Sequence, residues 1–485
     1  MEPCPVYKKC GGCQLQNLSY ERQLQWKQAR CQKLLGSFGK VRPIIGMEHP
    51  WHYRNKVQAA FAWDKRRGRA ISGVYQSSTH RVVPVDSCQI EDEKADEIIC
   101  TLRGMLKGFK LTPYDEDTGK GFLRHVLVKR GFGTGEIMVV LVTGTPVFPA
   151  KKHFLAELLK RHPEITTVIQ NINDMRTSLV LGRQEKVLYG PGFIVDELCG
   201  CRFRISAKSF YQINPLQTQT LYQQAIEFAG LTGKEKVLDT YCGIGTIGLI
   251  AAKNGAGQVL GVEVNRDAVR DAIGNAKENQ VKNIYFTCAD AGNFMEEMAS
   301  QKEPCDVVFM DPPRAGASAA FLKALRALAP RRVVYISCNP ETLARDLKLL
   351  QKDYRVQAIQ PVDMFPHTQH VETVVMLSHK KPDSVINVKV EFGEGEGKVP
   401  LDNIAKRAEA YKPKERVTYK MIKEYIEAKY GFKVHTAYIA EVKRELGLPM
   451  YDAPNAVEEL KQPRKHPTAE KAEAIKDALK HFEVI

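Results

Sequence analysis

The stretch that decides the fold reads VLDTYCGIGTIG and spans residues 237–248. It begins as an apolar strand, turns at Gly243 and Gly245, and continues as the start of a helix. Glycines at such a turn let the backbone approach a ligand. Glu263 ends the next apolar run, where a carboxylate binds both hydroxyls of a ribose. The pattern therefore predicts a site for a nucleoside-bearing cofactor.

Apolar runs alternate with amphipathic segments across residues 206–380, on both sides of this turn. Such alternation is typical of an α/β fold with a doubly wound, mostly parallel sheet and Rossmann-like topology. The predicted strands cover residues 236–239, 259–263, 284–287, 307–310, 333–337, 356–359 and 371–377.

The rest of the chain divides into segments of different texture. Short alternating strands predict an α+β module, in which residues 122–130 and 136–143 form a hairpin around the sequence GFGTG. Two short basic helices starting near Thr418 and Thr436 predict a small C-terminal domain. The pattern favours a helical hairpin with solvated charges over a nucleic-acid-binding helix-turn-helix. The predicted boundaries are 1–50 for a cysteine-cluster segment, 51–205 for the α+β module, 206–380 for the cofactor domain, 381–403 for a strand and acidic Gly-rich linker, and 404–485 for the basic helical domain.

The bulk composition restricts the partners and the compartment. The chain has 485 residues, a formal net charge of +15 and a pI near 9.1, which suits a polyanion such as RNA, although solubility alone accounts for such a charge equally well. No apolar run is long enough to span a bilayer, and no basic-then-apolar leader begins the sequence. We expect a cytoplasmic monomer without membrane contact, in which spaced cysteines serve metal binding or catalysis.

The charge near the glycine turn favours one cofactor over another. Asp239 ends the first strand, where a carboxylate facing the ligand space repels the pyrophosphate of a dinucleotide. The same carboxylate attracts a sulfonium ion, so the sequence favours S-adenosylmethionine over a nicotinamide dinucleotide. Asp290 follows the third strand, where it can accept a hydrogen bond from the adenine amine, and an ordinary surface aspartate is the alternative.

Two further strand ends carry reactive groups. Asp311, in DPPR, follows the fourth strand, and Cys338, in SCNP, follows the fifth, so both are expected at the carboxyl edge of the sheet. A thiolate that adds to C6 of uracil makes C5 a nucleophile towards an electrophilic methyl group. Glu372, at the start of the last strand, is the predicted base that removes the C5 proton. Asp311 would contact the base edge or the cofactor, and a small buried hydrophobe is the alternative role for Cys338.

These motifs together resemble the RNA uracil-5-methyltransferases, and most closely the 23S rRNA (uracil-5-)-methyltransferases that bear an iron-sulfur cluster. The resemblance implies a class I methyltransferase domain that forms 5-methyluridine, with Cys338 as nucleophile and Glu372 as base. A tRNA uracil-5-methyltransferase and a catalytically silent RNA-binding or ribosome assembly factor are the alternatives. The cofactor contacts that the resemblance implies are Gln212, Tyr241, Glu263 and Asp311, and more loosely Thr246 and Asp290.

A set of four cysteines remains outside this domain: Cys4, Cys10, Cys13 and Cys88. Three close thiols and a distant fourth suit zinc or a four-iron cluster, and spacing does not separate the two. The resemblance favours a [4Fe-4S] cluster, and unligated thiols are the alternative. In the α+β module, the basic run at residues 65–69 and the pair Arg124 and His125 are predicted RNA backbone contacts, with a solvated hairpin as the alternative.

Overall fold

The computed structural model describes residues 4–76, 79–175, 177, 179–380, 419–446 and 466–482. They belong to two compact units, one containing the described residues up to 380 and one containing those from 419 onward. The predicted linker at 381–403 and the start of the predicted C-terminal domain at 404–418 lie outside the described residues. Within these ranges no helix is both long and apolar enough to cross a bilayer.

The N-terminal segment forms two helices that the sequence patterns did not predict, α1 (Tyr7–Cys10) and α2 (Tyr20–Leu35). Helix α2 buries Cys31 and Leu35 in the same core as the cofactor domain. After α2, Val41 and Ile45 form parallel bridges to the edge strand of the cofactor-domain sheet. The first 50 residues therefore pack directly onto the cofactor domain.

The α+β module holds a seven-stranded sheet in the order β3-β2-β1-β4-β5-β6-β7. The predicted hairpin is present, and only β5 and β6 run parallel, joined through α4. One face of the sheet is covered by α3 and α4, and the other shares a core with the cofactor domain. The elements are β1 (Lys56–Asp64), β2 (Arg69–Tyr75), β3 (Val82–Pro84), α3 (Glu93–Gly108), β4 (Leu123–Arg130), β5 (Ile137–Thr143), α4 (Lys151–Arg161), β6 (Ile165–Ile172), β7 (Gln184–Tyr189), and the separate hairpin β8 (Ile194–Leu198) and β9 (Cys201–Ile205).

The cofactor domain is the predicted α/β sheet, with strand order β12-β11-β10-β13-β14-β16-β15. Every predicted strand is present, and all run parallel except β16, which is inserted antiparallel between β14 and β15. The elements are α5 (Pro215–Ala229), β10 (Lys236–Thr240), α6 (Thr246–Lys253), β11 (Gln258–Glu263), α7 (Arg266–Glu278), β12 (Ile284–Cys288), α8 (Ala291–Ser300), β13 (Val307–Met310), α9 (Ala319–Leu328), β14 (Arg332–Ser337), α10 (Pro340–Leu350), β15 (Tyr354–Val362) and β16 (Glu372–His379).

The C-terminal unit contains α11 (Tyr419–Tyr430), α12 (Thr436–Glu445) and α13 (Ala469–His481). The first two are the helices that the sequence predicted, and the third was not predicted. All three contribute to one small core, to which Ile426, Ile439 and Ile475 belong, each fully buried.

Candidate active site

The glycine turn after β10 has the backbone that a ligand cradle requires. Tyr241, Gly243 and Gly245 all have positive φ, at 60°, 55° and 82°. A Cβ on Gly245 would lie 2.8 Å from the Phe286 ring, so a side chain does not fit there. The Gly243 N–H donates to Oε2 of Glu263 over 3.1 Å, which fixes this carboxylate at the mouth of the turn.

Asp239 takes a different position from the one predicted. The sequence predicted a carboxylate that faces the ligand, but the side chain is fully buried and accepts a hydrogen bond from the Gly248 N–H at 2.8 Å. Burial raises its pKa to about 8, and the charges of Asp311 and Glu263 add to the effect. The carboxyl group occupies the Gly248 N–H in the first turn of α6, where a dinucleotide phosphate would need free helix N–H groups.

A buried tyrosine, Tyr222 on α5, links several predicted cofactor residues and was missed by the sequence reasoning. Its hydroxyl lies 3.5 Å from Oγ1 of Thr246 and also bonds the Gln212 side chain. Burial and then the charge of Asp311 raise the pKa of Tyr222. Gln212, Thr246 and Asp311 therefore converge on one point beside the glycine turn.

Tyr241 and Asp290 lie on the other side of the turn. The Tyr241 ring packs at 5.1 Å from the ring of Phe321, and its pKa is raised to about 12 by burial and by the charge of Asp290. Asp290 is exposed and caps α8 by accepting from the Asn293 N–H at 3.0 Å. Only Oδ1 takes part in this cap, and among the described residues Oδ2 accepts no hydrogen bond.

The thiol and the carboxylate proposed for covalent chemistry lie side by side. Ser337 on β14 pairs with Thr373 on β16, so continuing this antiparallel register by one residue sets Cys338 opposite Glu372. Burial raises the pKa of Cys338 to about 11, with further contributions from the charges of Glu372 and Asp311. Burial also raises the pKa of Glu372 well above its usual range, and Asp311 adds to this.

Asp311 itself is half-buried, and desolvation raises its pKa to about 7. Since it interacts electrostatically with Asp239, Tyr222, Cys338 and Glu372, it stands between the cofactor turn and the reactive pair. Three acidic groups in one crevice repel one another when charged, so the crevice favours a cation.

Two basic side chains complete the crevice, and the sequence reasoning missed both. The charge of Arg314 lowers the pKa of Cys338, and its Nη2 donates to Nδ1 of His370 over 3.3 Å. Burial and then Arg314 lower the pKa of His370 to about 4, so the ring is neutral at pH 7. Arg314 is the last residue of the DPPR motif, which is the signal that would have identified it.

The cavity of about 80 Å³ near the N-terminus is lined by Cys4, Cys10, Cys13 and Cys88. Burial raises the pKa of Cys13 to about 12, and the charges of Cys10 and Cys4 add to the effect, so the thiols are close enough to interact. In the described part of the chain, no group of three or more His, Cys, Asp or Glu side chains is arranged as a metal site.

Arg124 and His125 do not lie where an RNA backbone contact was predicted. Both side chains are buried, with only 3% and 4% of their surface exposed, so a contact with phosphates on an open face is wrong. The basic run at 65–69 forms the exposed turn between β1 and β2, where the Arg66 and Arg67 N–H groups donate to Asp64.

Comparison with known proteins identifies the family of this chain. The family model described as tRNA (Uracil-5-)-methyltransferase matches residues 180–380. An uncharacterized RNA methyltransferase of Halalkalibacterium halodurans is 45% identical over 78% of this chain and 83% of its own length. The chain belongs to the RNA (uracil-5-)-methyltransferase family.

Other relatives of this methyltransferase support the same assignment. A Bacillus cereus protein, also an uncharacterized RNA methyltransferase, is 42% identical over 77% of this chain and 82% of its own length. The crystal structure of Pyrococcus abyssi tRNA (uracil-54, C5)-methyltransferase with S-adenosyl-L-homocysteine is similar at a TM-score of 0.64 and 30% identity, covering 76% of this chain and 85% of that one. The methyltransferase is thus an S-adenosylmethionine-dependent enzyme that acts on RNA.

The extent of the family match separates two groups of predicted residues. Every predicted catalytic and cofactor residue lies within 180–380, whereas the four cysteines lie before it.

Proposed function

We propose that this methyltransferase converts a uridine of 23S rRNA to 5-methyluridine, with Cys338 as the nucleophile and Glu372 as the base. The observation that supports the proposal is the common crevice of Cys338, Glu372 and Asp311 next to the glycine turn. Neither a carboxylate nor a thiol alone carries out this chemistry, because C5 of uracil must first become a nucleophile and must later lose its proton.

The first step belongs to Cys338. Its sulfur forms a bond to C6 of the uracil, and the electron pair of the C5–C6 double bond moves towards the C4 carbonyl as an enolate. S-adenosylmethionine, when bound, would supply the electrophilic methyl group that C5 accepts, and would leave as S-adenosylhomocysteine when its bond from the methyl carbon to the sulfonium sulfur breaks. Arg314 favours the thiolate, since its positive charge lowers the pKa of Cys338.

The second step belongs to Glu372. Its carboxylate takes the hydrogen of C5 as a proton, the electron pair re-forms the C5–C6 double bond, and the bond from C6 to sulfur breaks. The buried position of Glu372 raises its proton affinity, which suits a base that acts near neutral pH. The thiolate is regenerated at the end of the cycle.

The cofactor is held by the residues around the turn. In this proposal Glu263, which accepts from the Gly243 N–H, binds the ribose hydroxyls, and the exposed carboxylate of Asp290 binds the adenine amine. Gln212, Thr246 and Asp311 surround the crevice next to Cys338, where the sulfonium end of the cofactor must lie for methyl transfer. Tyr241 forms part of the wall between these two regions.

Trapping with RNA that contains 5-fluorouridine tests the catalytic proposal. A base can remove a proton from C5 but cannot remove fluorine in its place, so elimination of the thiol is blocked. The wild-type enzyme should therefore accumulate a covalent protein–RNA adduct that survives denaturing electrophoresis. Cys338→Ala should form none. Cys288→Ala is the matched control, because Cys288 is an exposed thiol at the end of another strand, β12, and this variant should form the adduct normally. An adduct on Cys338→Ala would reject the assignment.

The ribosomal substrate is proposed on the set of four cysteines that the chain shares with the cluster-bearing 23S rRNA enzymes it resembles. Transfer RNA is the second candidate, favoured by the Pyrococcus abyssi neighbour. Mapping 5-methyluridine in ribosomal and transfer RNA from cells with and without the gene decides between them, because only the true substrate loses the modification. An RNA substrate also supports the expected location of the enzyme in the cytoplasm.

A [4Fe-4S] cluster on Cys4, Cys10, Cys13 and Cys88 is part of the proposal. Four thiols that border one cavity offer the donor set of such a cluster, and zinc accepts the same set. Iron, sulfide and zinc analysis of anaerobically purified protein, together with the visible absorption spectrum, separates the two metals. Protein that contains neither would leave four unligated thiols.

A further inference from the structure

A second cavity, lined by residues outside the cofactor domain, lies in the α+β module. It has a volume of about 550 Å³, within the range of roughly 300–1,000 Å³ typical of small-molecule sites. Tyr75 and Tyr114 contribute aromatic walls, and Arg124, His125 and Glu116 contribute polar groups. Neither the cofactor nor the proposed reaction at Cys338 uses this cavity.

The polar groups of the cavity include buried atoms without a partner among the described residues. Nε of Arg124 and Nδ1 of His125 make no hydrogen bond within the described part of the chain, and both residues are more than nine-tenths buried. Burial and then the charge of Arg124 lower the pKa of His125 to about 4, so the ring is neutral at pH 7. Buried polar atoms without partners are costly, and a ligand that bonds them removes the cost.

The charge balance of the cavity favours an uncharged ligand over a phosphate. The Arg124 guanidinium donates to the carbonyls of Asn173 and Met175 at 2.9 and 2.7 Å and to the Glu116 carboxylate at 3.4 Å. The remaining oxygen of Glu116 lies 3.3 Å from Nδ1 of His80. The arginine charge is thus already neutralised, whereas Glu116 remains able to accept a further hydrogen bond, since a carboxylate has about four acceptor positions.

The cavity lies on the face of the sheet that is shared with the cofactor domain. His125, Leu127 and Lys129 alternate onto one face of β4, and Leu127 belongs to the core between the two domains. Nζ of Lys129 donates to the carbonyls of Ser206 and Ser209, in the segment that leads to Gln212. Four residues of strand separate His125 from Lys129, so the cavity lies about 14 Å along the sheet from that segment.

From these observations we propose that the cavity binds a second unpaired base of the RNA substrate, one with an exocyclic amino group. Aromatic walls stack on any base. The exocyclic amino group of adenine, cytosine or guanine can donate to Glu116, whereas uracil offers that carboxylate only its ring N3–H. The inference rests on the proposed RNA methylation and adds a recognition site close to the target uridine.

Binding of short RNAs tests this inference on the full-length enzyme with S-adenosylhomocysteine. The probes are an all-uridine octamer and three octamers with one central adenine, cytosine or guanine, and the readout is fluorescence anisotropy. At least one substituted octamer should bind about ten-fold more tightly than the all-uridine octamer, as expected for a hydrogen bond to a charged acceptor. Glu116→Ala should remove this preference, and Tyr75→Ala should weaken every octamer by about five-fold or more.

Tyr189→Ala is the matched control, because Tyr189 is a similarly exposed tyrosine on β7, at the far edge of the same sheet. It should bind all four octamers like the wild type. Equal affinity for all octamers, or the same loss in Tyr189→Ala, would overturn the inference. Adenosine monophosphate that binds as tightly as the adenine octamer would instead identify a mononucleotide site and would also overturn it.

The 5-fluorouridine adduct on the same proteins separates the two proposals. A wild-type enzyme that forms the adduct but shows no base preference contradicts only the second-base site. An enzyme that forms no adduct contradicts the catalytic proposal, whatever the octamers show. Tyr75 and Glu116 are both partly exposed, so neither substitution opens a buried core, and thermal unfolding of each variant verifies the fold.

Discussion

Replacing Glu372 by glutamine separates the two roles that the structure suggests for this carboxylate. The amide cannot take the C5 proton, so elimination should stall after methyl transfer. The substitution also removes a negative charge that raises the pKa of Cys338. Glu372→Gln should therefore make the thiol more reactive and the enzyme less active at the same time.

The size of the first effect follows from the strand register. Opposed residues of an antiparallel pair have Cβ atoms about 4.5–5.5 Å apart, and Cys338 is opposed to Glu372 by extension of the β14–β16 ladder. Two unit charges about 5 Å apart interact by about 3 kcal/mol at an effective dielectric constant near 20. That energy equals roughly two pKa units and sets an upper bound on the effect of Glu372, because burial contributes more than Glu372 to the raised pKa of Cys338. The pKa of Cys338, raised to about 11 in the wild type, should fall accordingly.

The assay follows alkylation of Cys338 by iodoacetamide from pH 7 to 11, measured on the Cys338 peptide by mass spectrometry. The midpoint should shift down measurably in Glu372→Gln, by at most about two pH units. Turnover should fall about 10²- to 10⁴-fold, the usual contribution of a general base, and unmodified RNA should now leave a methylated covalent adduct.

Glu341→Gln is the control for this experiment. Glu341 lies three residues after Cys338, but its carboxylate pairs with Arg30 at 2.6 Å and does not contribute to the pKa shift of Cys338. Its alkylation profile should match the wild type. An unchanged profile in Glu372→Gln together with normal turnover would refute the reasoning, because it would mean that the two side chains neither interact nor cooperate.

Three further predictions follow from other contacts. Since the pKa of Asp311 is raised to about 7, its carboxylate is mostly charged only above that pH. The negative charge attracts the sulfonium of S-adenosylmethionine but not the neutral sulfur of S-adenosylhomocysteine, so the preference for S-adenosylmethionine should rise as pH increases through 7. Calorimetry should find this rise absent in Asp311→Asn. Gly245→Ala should weaken cofactor binding at least ten-fold, because the added Cβ clashes with the Phe286 ring. Gly255 also has a positive φ but has open space around it, so Gly255→Ala should bind the cofactor normally. Lys27→Met should lower the free energy of unfolding by about 3–5 kcal/mol, because buried Asp363 loses its counter-charge and keeps the weaker hydrogen bond from the Tyr20 hydroxyl. This loss corresponds to roughly 4–6 °C in Tm for a unit of this size. The additional change Asp363→Leu should restore most of the lost Tm in thermal denaturation.

The cofactor-domain sheet was predictable because buried parallel strands are continuous apolar runs. Strand β13, Val307–Met310, is buried at every position, and the reactive Asp311 follows it directly. The same rule placed Cys338 after β14. Ligand-binding groups collect at the carboxyl ends of such strands, so their positions in the chain were sufficient to bring them together.

The contacts that cross the chain could not be predicted in this way. Lys27 and Asp363 form a fully buried ion pair at 2.6 Å between residues 336 positions apart. A lysine on a helix is normally exposed, and no local pattern reveals a partner at that distance. Arg124 was misjudged for the same reason, because the carbonyls that bury it belong to residues 173 and 175. Tyr222 is one of several buried residues of α5, and the sequence pattern does not distinguish it from the others. Its role becomes visible only in the folded chain, where its hydroxyl lies beside Oγ1 of Thr246.

The N-terminal segment adds contacts that hold the loop before the proposed base Glu372, whose own strand end pairs with Val362. The loop before it receives a hydrogen bond from Leu15 N–H to the carbonyl of His367 at 2.9 Å. Gln14 accepts from the Gln369 N–H at 3.2 Å, and Nη1 of Arg30 donates to the carbonyl of Gln369 at 2.8 Å. These contacts come from residues more than 330 positions away, and they constrain the backbone a few residues before Glu372. Changes in this segment should therefore reduce the rate of elimination more than they reduce cofactor affinity, because the glycine turn is built entirely from residues of the cofactor domain.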